Sequence, residues 1–479
     1  MIDIKNLTIE KTHEALVQGD FTVRQLCEAC LSNIKNDNER LNIFREVFDD
    51  VLEQADSAQK RFVDGTATLL TGIPIAVKDN ILISGKKVGA CSKILENYVA
   101  IYDATVIAKL KKVGAIFIGR TNMDEFAMGS STENSAYGTT KNPIDETRVP
   151  GGTSGGSAAA VAGGMVIAAL GSDTGGSIRQ PAAFCGVIGM KPTYDTVSRY
   201  GLIADTSSFD QIGPITKTIR DAEVLLEAIS GKDSMDATSR DLKSQISNLK
   251  SQNAKYKIGI PRSFLGGEGI DQELLQNFND TIEKIRSAGH EIVDIEIPLL
   301  SNSLAVYYIL QFAEVSSNLT RLDGIRYGLR VPGKTTTDVY MKTRGQGFGR
   351  EARRRILLGT YVLSHGYYDA YYRKASNLRR EIGKNFDTAF DVQAGGVDII
   401  LTPTTPTPAF KIGEKTKDPV SMYLEDIFTV PLNIAEIPGI SMPCGKNNIG
   451  LPFGLQLIGG KGSDTMLIEA GKEFERVLQ

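Results

Sequence analysis

The chain has 479 residues, 41% of them hydrophobic, with 54 basic against 57 acidic residues and a formal net charge of −3. This length supports one large domain or two, and the nearly balanced charge excludes a strong field for gathering nucleic acid. The N-terminus carries no apolar run like that of a signal peptide, and no later apolar stretch is long enough to span a membrane. We therefore expect a soluble cytoplasmic protein.

Residues 1–60 are predicted to form amphipathic helices. Thr22 and Gln25 match a capping box, and apolar residues then recur at helical spacing. Cys27 and Cys30 lie on that apolar face as a C-x-x-C motif, which could indicate redox chemistry or half a zinc site. Five scattered cysteines in a long chain are more typical of reduced thiols. We interpret the pair as small core residues of the helix.

Residues from about 70 to 215 carry the first signals of a sheet. An apolar run at 73–77 has the length of a strand, and Lys78 ends it. Asp103 stands where it can cap a helix that runs to residue 114, and the apolar run 115–118 follows as a buried strand. A strand, a helix and a strand in succession predict the beginning of an α/β sheet.

A polar and charged segment at about 231–257 indicates an exposed helix or a connector. The α/β pattern resumes beyond it, with a helix over 271–288 and strands at 257–260, 291–295, 397–401 and 453–458. Because strands lie on both sides of the connector, we expect one sheet that the C-terminal half, 257–479, completes. The prediction is a single large α/β/α domain over residues 1–479.

Two clusters rich in glycine and serine stand close together, GGTSGGS at 151–157 and GSDTGGS at 171–177. Glycine permits positive φ and lets a ligand approach backbone N–H groups, so such loops can hold an anion. A nucleotide-binding P-loop needs a lysine followed by Ser or Thr after its glycines, and neither cluster has one. Tight packing is another use of glycine, but the hydroxyl groups favour a site for a transient oxyanion.

The second cluster contains what acyl transfer requires. Ser177 can act as the nucleophile, and the N–H groups of Thr174, Gly175 and Gly176 can donate to an oxyanion. The chain then needs a general base. None of its three histidines lies near a Gly-x-Ser-x-Gly elbow, so a Ser-His-Asp triad has little support.

Lys78 is a better candidate for the base. A lysine at the end of an apolar strand is desolvated, and desolvation lowers the pKa of an ammonium group. A free lysine has a pKa of about 10.4, and general-base catalysis needs roughly 7–8. Many lysines at strand ends are solvated or ion-paired instead, so the residue alone leaves both interpretations open.

Three motifs in fixed order carry a family resemblance: GIPIAVKDN around Lys78, PGGTSGGSAAAVA, and GSDTGGSIRQPAAFCG around Ser177. Together they resemble the amidase signature family, whose members use a Ser-Ser-Lys triad. The resemblance implies a central mixed sheet covered by helices on both faces. No cluster of metal ligands is visible in the sequence, and we expect no metal in this chain. The family's bridging serine lies 24 residues before the nucleophile, where this chain has Thr153. Ser154 is the alternative proton relay.

Further segments are similar to one branch of that family, the glutaminase subunits of tRNA-dependent amidotransferases. They are TNMDEFAMGSSTENSAYG, KPTYDTVSRYGLIADTSSFDQIGPI, RRRILLGTYVLSHGYYDAYY and EDIFTVPLNIAEIPGISMPCG. This resemblance implies that glutamine, or asparagine less efficiently, is the substrate and that ammonia is the product used. Arg355 and Asp426 match the positions that hold the substrate carboxylate and ammonium, and Tyr308 and Ser130 match positions that line the pocket. By residue pattern alone, Arg355 could equally lie on a solvated helix face beside Arg353.

The same branch implies two partner subunits in a heterotrimer. A B subunit would use ATP and magnesium to activate mischarged Glu-tRNA(Gln) or Asp-tRNA(Asn), and would receive the ammonia. A C subunit would tie the other two together. We expect no cofactor in this chain and tRNA contact mainly through the B subunit. The alternative is a stand-alone amidase that acts on another carboxamide.

Overall fold

Within residues 2–241, 255–267 and 269–478, which the computed structural model describes, eleven strands form one mixed β-sheet. In chain order the strands are Phe44–Val47 (β1), Pro74–Lys78 (β2), Ile116–Thr121 (β3), Ala168–Asp173 (β4), Ile188–Lys191 (β5), Gln211–Thr216 (β6), Lys257–Ile260 (β7), Glu291–Asp294 (β8), Ile399–Pro403 (β9), Gly439–Lys446 (β10) and Pro452–Gly459 (β11). The predicted α/β class with a central mixed sheet is confirmed.

The strand order is β1-β3-β2-β4-β6-β5-β10-β11-β9-β7-β8. β2 runs parallel to β3 and β4, and β7 runs parallel to β8 and β9. The central strands from β4 through β9 pair antiparallel. The two halves of the chain meet where β5 pairs with β10. Most of the predicted connector, 242–254, lies outside the described residues, while its flanks at 231–241 form turns and bends.

Sixteen α-helices occur in the described part of the chain. They are Ile9–Gln18 (α1), Val23–Leu41 (α2), Val51–Val63 (α3), Thr105–Lys112 (α4), Gly155–Ala162 (α5), Arg179–Cys185 (α6), Ile219–Ile229 (α7), Arg262–Leu265 (α8), Gln272–Ser287 (α9), Ser303–Asn318 (α10), Thr336–Gly347 (α11), Arg350–Val362 (α12), Lys374–Ala389 (α13), Pro419–Tyr423 (α14), Val430–Ile434 (α15) and Asp464–Leu478 (α16). None of these helices has the length and apolarity needed to cross a bilayer.

The N-terminal helices follow from local signals in the sequence. Thr22 and Gln25 form the predicted capping box at the start of α2. Cys27 and Cys30 are fully buried on α2, which confirms that they are core residues. The sequence did not indicate β1, because a strand of four residues is recognisable mainly by its antiparallel pairing with β3.

The predicted cap of α4 was wrong. The N-cap residue is Ala104, which makes no side-chain capping bond. The Asp103 carboxylate accepts hydrogen bonds from the backbone N–H of Ser84 and from Lys111 Nζ, both at 2.8 Å. The carboxylate therefore holds the preceding loop rather than the helix N-terminus.

Two neighbouring parallel strands place the candidate site. β2 ends at Lys78 and β4 ends at Asp173, and every residue of both strands is buried. The carboxyl ends of parallel neighbours lie at the same edge of a sheet, where ligands commonly bind in α/β folds. Helix α5 begins within the first glycine cluster, at Gly155, and α6 begins two residues after the second cluster, at Arg179. Both clusters and the lysine therefore meet at one edge.

Candidate active site

Lys78 is completely buried at the end of β2. Its Nζ contacts Thr153 Oγ1, Ser172 Oγ at 2.9 Å and the Ser172 carbonyl at 3.1 Å. Burial lowers the pKa of Lys78 to about 7, although nearby carboxylates such as Asp173 act in the opposite direction. A large fraction of the amine is therefore neutral at pH 7 to 8. A neutral amine has two N–H groups and one lone pair, so three contacts are satisfied when one hydroxyl donates to Nζ.

The structure separates the two candidates for the proton relay. Thr153 is buried, follows a cis peptide bond, and directs its hydroxyl to Lys78. Ser154 Oγ instead donates to the Ser172 carbonyl at 3.2 Å and accepts from the Ser172 N–H at 3.3 Å. The Ser154 N–H donates to the Ser177 carbonyl at 3.1 Å. This geometry favours Thr153 as the relay, and the Ser154 side chain is occupied by the backbone of β4.

Ser177 lies in a loop whose backbone is fixed by a buried ion pair. Asp173 accepts hydrogen bonds from the Gly176 N–H at 2.9 Å and the Ile178 N–H at 3.2 Å. Arg179 pairs with the same carboxylate, Nη2 to Oδ1 at 2.9 Å and Nε to Oδ2 at 3.0 Å. These groups are buried, and the neighbouring cations help to hold the pKa of Asp173 well below its usual range. The carboxylate therefore stays ionised.

One of the three predicted oxyanion donors does not fit. The Gly176 N–H is already donated to Asp173, so it does not face a substrate oxygen. No group in the described part of the chain accepts a hydrogen bond from the N–H of Thr174, Gly175 or Ser177. The N–H groups of Thr174 and Gly175 therefore fit the predicted role of oxyanion donors, and so does the N–H of Ser177, which was not among the predicted donors.

Contacts from distant parts of the chain hold this loop in place. Thr174 Oγ1 donates to Asp210 Oδ1 at 2.6 Å, and Thr429 Oγ1 donates to the Gly175 carbonyl at 2.6 Å. A Cβ on Gly175 would clash with the Tyr307 hydroxyl. Asp210 and Thr429 were not predicted as supports because neither lies in a glycine cluster. Ser172 was missed as a contact of the lysine although it lies in the second cluster.

Three of the four predicted pocket residues meet at one carboxylate. Asp426 Oδ2 accepts a hydrogen bond from the Tyr308 hydroxyl at 2.6 Å, and Oδ1 accepts one from Ser130 Oγ at 3.0 Å. Burial raises the pKa of Asp426 to about 7. A cationic ligand beside this carboxylate would favour its ionised form. The three residues come from a loop, from α10 and from a short turn after α14.

Arg355 lies on the buried side of α12 and is only 4% exposed, whereas Arg353 is exposed. The solvated-face interpretation is therefore wrong for Arg355. Its Nε donates to Glu351 Oε1 at 2.8 Å, and its guanidinium lies 5.5 Å from the ring centroids of both Tyr308 and Tyr423. The Tyr423 hydroxyl also donates to Glu351, at 2.9 Å. Glu351 was missed, although its i, i+4 spacing from Arg355 could have indicated it.

Short bridges connect the charged pocket to the catalytic loops. Gln180 donates to the Ser130 carbonyl at 3.1 Å and accepts from the Gly152 N–H at 3.0 Å. Thr429 Oγ1, which holds the Gly175 carbonyl, also contacts the Asp426 carbonyl at 3.1 Å. A cavity of about 240 Å³ is lined in part by Arg355 and Tyr423, next to the loop that contains Ser130. Gln180 and Thr429 therefore link the residues around Asp426 to the two glycine clusters.

In the part of the chain that the structure describes, no three His, Cys, Asp or Glu side chains stand together as ligands for a metal ion. The lysine, the hydroxyl groups and the backbone N–H groups are the groups available for the chemistry at this edge of the sheet. That the reaction needs no metal in this chain stays a prediction.

A family model for amidases matches residues 25–468 of the chain. The A subunit of the glutamyl-tRNA(Gln) amidotransferase of Thermoanaerobacter pseudethanolicus is 48% identical over 99% of this chain and 97% of that protein. The protein of the same name from Thermodesulfovibrio yellowstonii is 53% identical over 88% of this chain and 87% of its own length.

Solved structures share the fold. The crystal structure of the glutamyl-tRNA(Gln) amidotransferase A subunit from Thermotoga maritima aligns with a TM-score of 0.80 at 41% identity, covering 98% of this chain and 94% of that one. Native peptide amidase from Stenotrophomonas maltophilia aligns with a TM-score of 0.81 at 26% identity, covering 99% of this chain and 97% of that one. Because proteins of both names share the fold, the substrate must be argued from the pocket.

Proposed function

This chain belongs to the amidase signature family, and from that premise we propose that it is the glutamine-hydrolysing subunit of an amidotransferase that acts on mischarged tRNA. The observation that carries the proposal is that the buried Arg355 guanidinium and the buried Asp426 carboxylate both lie against Tyr308. Thr429 in turn links Asp426 to the loop that contains Gly175. Glutamine has an α-carboxylate and an α-ammonium at one end, and these need opposite charges to hold them. An amide without those groups would give Arg355 no substrate carboxylate to bind and would leave the buried Asp426 carboxylate without a bound ammonium.

In the proposed reaction Ser177 Oγ attacks the side-chain amide carbon of glutamine. Its proton passes to Thr153 as the threonine proton passes to neutral Lys78, which becomes an ammonium. The carbonyl oxygen of the substrate becomes an oxyanion, which the N–H groups of the loop stabilise. Return of the proton along the same path to the amide nitrogen lets ammonia leave as the C–N bond breaks. Water then hydrolyses the acyl ester by the same relay and releases glutamate.

The ammonia would be used by a partner. We propose that the chain works in a heterotrimer whose B subunit consumes ATP and magnesium to activate the carboxylate on mischarged tRNA, and whose C subunit joins the other two. The relatives are named as one subunit of an amidotransferase, which supports assembly with other chains. The acceptors would be Glu-tRNA(Gln), Asp-tRNA(Asn) or both, and we expect the reaction to occur in the cytoplasm. The near-neutral charge of this chain agrees with tRNA contact mainly through the B subunit.

The proposal is tested by comparing glutamine with propionamide, which has the reacting amide but no charged end. We expect kcat/KM to be higher for glutamine by a factor of about 100 or more, because two charge-assisted contacts are lost with propionamide. Equal values would favour the stand-alone amidase. Copurification of the tagged chain with two further subunits, followed by assays with each mischarged tRNA, tests the assembly and identifies the acceptor.

A further inference from the structure

Glu125 is a buried glutamate that the proposed chemistry does not use. Only 2% of the residue is exposed. Its Oε1 accepts a hydrogen bond from Ser92 Oγ at 2.5 Å, and its Oε2 accepts one from the Gly349 N–H at 2.8 Å. Burial raises the pKa of Glu125 to about 7, although both hydrogen bonds favour the ionised form. Burying a carboxyl group is energetically unfavourable, so we asked what its two hydrogen bonds hold together.

One side of Glu125 faces the start of the helix that carries Arg355. Gly349 is the N-cap residue of α12, and a glycine has no side chain with which to cap the helix. The first N–H groups of a helix lack partners within the helix, and an acceptor or negative charge there is stabilising. Glu125 supplies that acceptor from a distant part of the sequence. A Cβ on Gly349 would clash with Glu125 Oε2, so the approach requires glycine.

Glu125 also stands at the beginning of the loop that carries Ser130. Phe126 and Ala127 follow it with φ of 51° and 61°, in the left-handed region. This conformation is unfavourable for residues other than glycine and persists only where surrounding contacts enforce it. Phe126 packs on Phe348, beside the helix start, with ring centroids 5.8 Å apart. The loop is therefore held against α12 by one polar and one aromatic contact.

The Ser130 loop and α12 both contribute residues to the proposed ligand pocket. The loop delivers Ser130 to Asp426, and α12 delivers Arg355 to the other part of the pocket. We propose that Glu125 is a positioning residue that joins the Ser130 loop to the N-terminus of α12. It thereby sets the spacing between the contacts for the ammonium and for the carboxylate of the substrate. The inference rests on the proposed function, because it assumes a substrate with an amino-acid end.

The test uses Glu125→Ala and Glu125→Gln in the assembled complex, with Glu96→Gln as a matched control. Glu96 is an exposed glutamate nearby that pairs with Lys93 on the surface. For Glu125→Ala we expect KM for glutamine to rise by about 10–100-fold, because two buried hydrogen bonds are lost. Glu125→Gln should recover part of this loss, since its amide oxygen can still accept one of them. Glu96→Gln should leave KM unchanged.

A second measurement separates positioning from general damage. A small sulfonyl fluoride modifies Ser177 without needing the amino-acid contacts, so its rate should stay at the wild-type value in both Glu125 variants. A parallel fall in the rates of sulfonylation and glutamine hydrolysis would overturn the inference, as would an unchanged KM in Glu125→Ala. Failure of the proposed function is distinct, because it would appear in the wild-type complex as no preference for glutamine over propionamide.

Discussion

The two parts of the candidate site are built in different ways. The predicted catalytic residues all lie between positions 78 and 177 and meet at the ends of β2 and β4, although Asp210 and Thr429 also hold the loop before Ser177. The recognition part joins residues as far apart as Ser130 and Asp426, 296 positions along the chain, through side chains on helices and turns. The predicted reacting groups therefore come from one continuous stretch of sequence, whereas the predicted recognition residues come together only through contacts between the two halves of the chain. Changes in the first part should lower kcat, and changes in the second should raise KM.

The largest effect is expected from Ser177→Ala in the catalytic part. Glutaminase activity should be abolished with the fold intact, because the hydroxyl carries the covalent chemistry and contributes little to stability. Hydrolysis of glutamine and the melting temperature are the measurements.

Free ammonia provides the control for that variant. A complex containing Ser177→Ala should still amidate charged tRNA when ammonia is supplied, because the partner's reaction does not need this serine. Loss of the ammonia-dependent reaction would indicate a structural role, and an acyl-enzyme found on another residue would refute the assignment of the nucleophile.

The next largest loss of activity is expected when the hydroxyl of the proposed proton relay, Thr153, is removed. Thr153→Val keeps the shape but removes the hydroxyl beside Lys78, so kcat should fall by about 10²–10⁴-fold. Thr153→Ser keeps the hydroxyl and should stay active. Ser154→Ala should do less damage, since its hydroxyl bonds the backbone of Ser172. An inactive Ser154→Ala beside an active Thr153→Val would assign the relay to Ser154 instead.

The recognition part should respond in KM rather than kcat. Arg355→Ala and Asp426→Asn should each raise KM for glutamine by about 10–100-fold, because each removes one charge-assisted contact from a buried site. Arg380→Ala is the control, since that arginine is exposed on α13 and its guanidinium donates to Asn377, and its KM for glutamine should equal that of the wild type. Unchanged KM values in both test variants would remove the support for an amino-acid substrate.

The smallest effect, and the sharpest comparison of the two parts, is in the pH profile. Lys78 must be neutral and Asp426 must be ionised, and both pKa values are about 7. Activity should therefore fall as the pH drops below 7. The acid limb of log kcat/KM should approach a slope of 2, because both groups titrate in the free enzyme. The acid limb of log kcat should have a slope of 1, because the bound ammonium group of the substrate keeps Asp426 ionised. In Asp426→Asn the acid limb of log kcat/KM should have a slope of 1. A slope that stays at 2 would exclude Asp426 as one of the two titrating groups.

Local patterns in the sequence were sufficient for several elements of the protein. The capping box of α2, the buried Cys27 and Cys30, and the strand ending at Lys78 follow from spacing and apolar periodicity, which act over a few residues. The two glycine clusters likewise indicated loops at which backbone approaches closely, because only glycine tolerates such contacts. The α/β class followed from the alternation of strands and helices.

Which of two similar neighbours faces the site depends on the tertiary structure. Arg355 is buried and Arg353 is exposed, and Thr153 rather than Ser154 reaches Lys78. The Gly176 N–H is already donated to Asp173. For Arg355 and Arg353, and for Thr153 and Ser154, the physical reason is the same. Burial and hydrogen-bond partners are set by groups far along the chain, so residues one or two positions apart, with the same local chemistry, receive different surroundings once the sheet has formed.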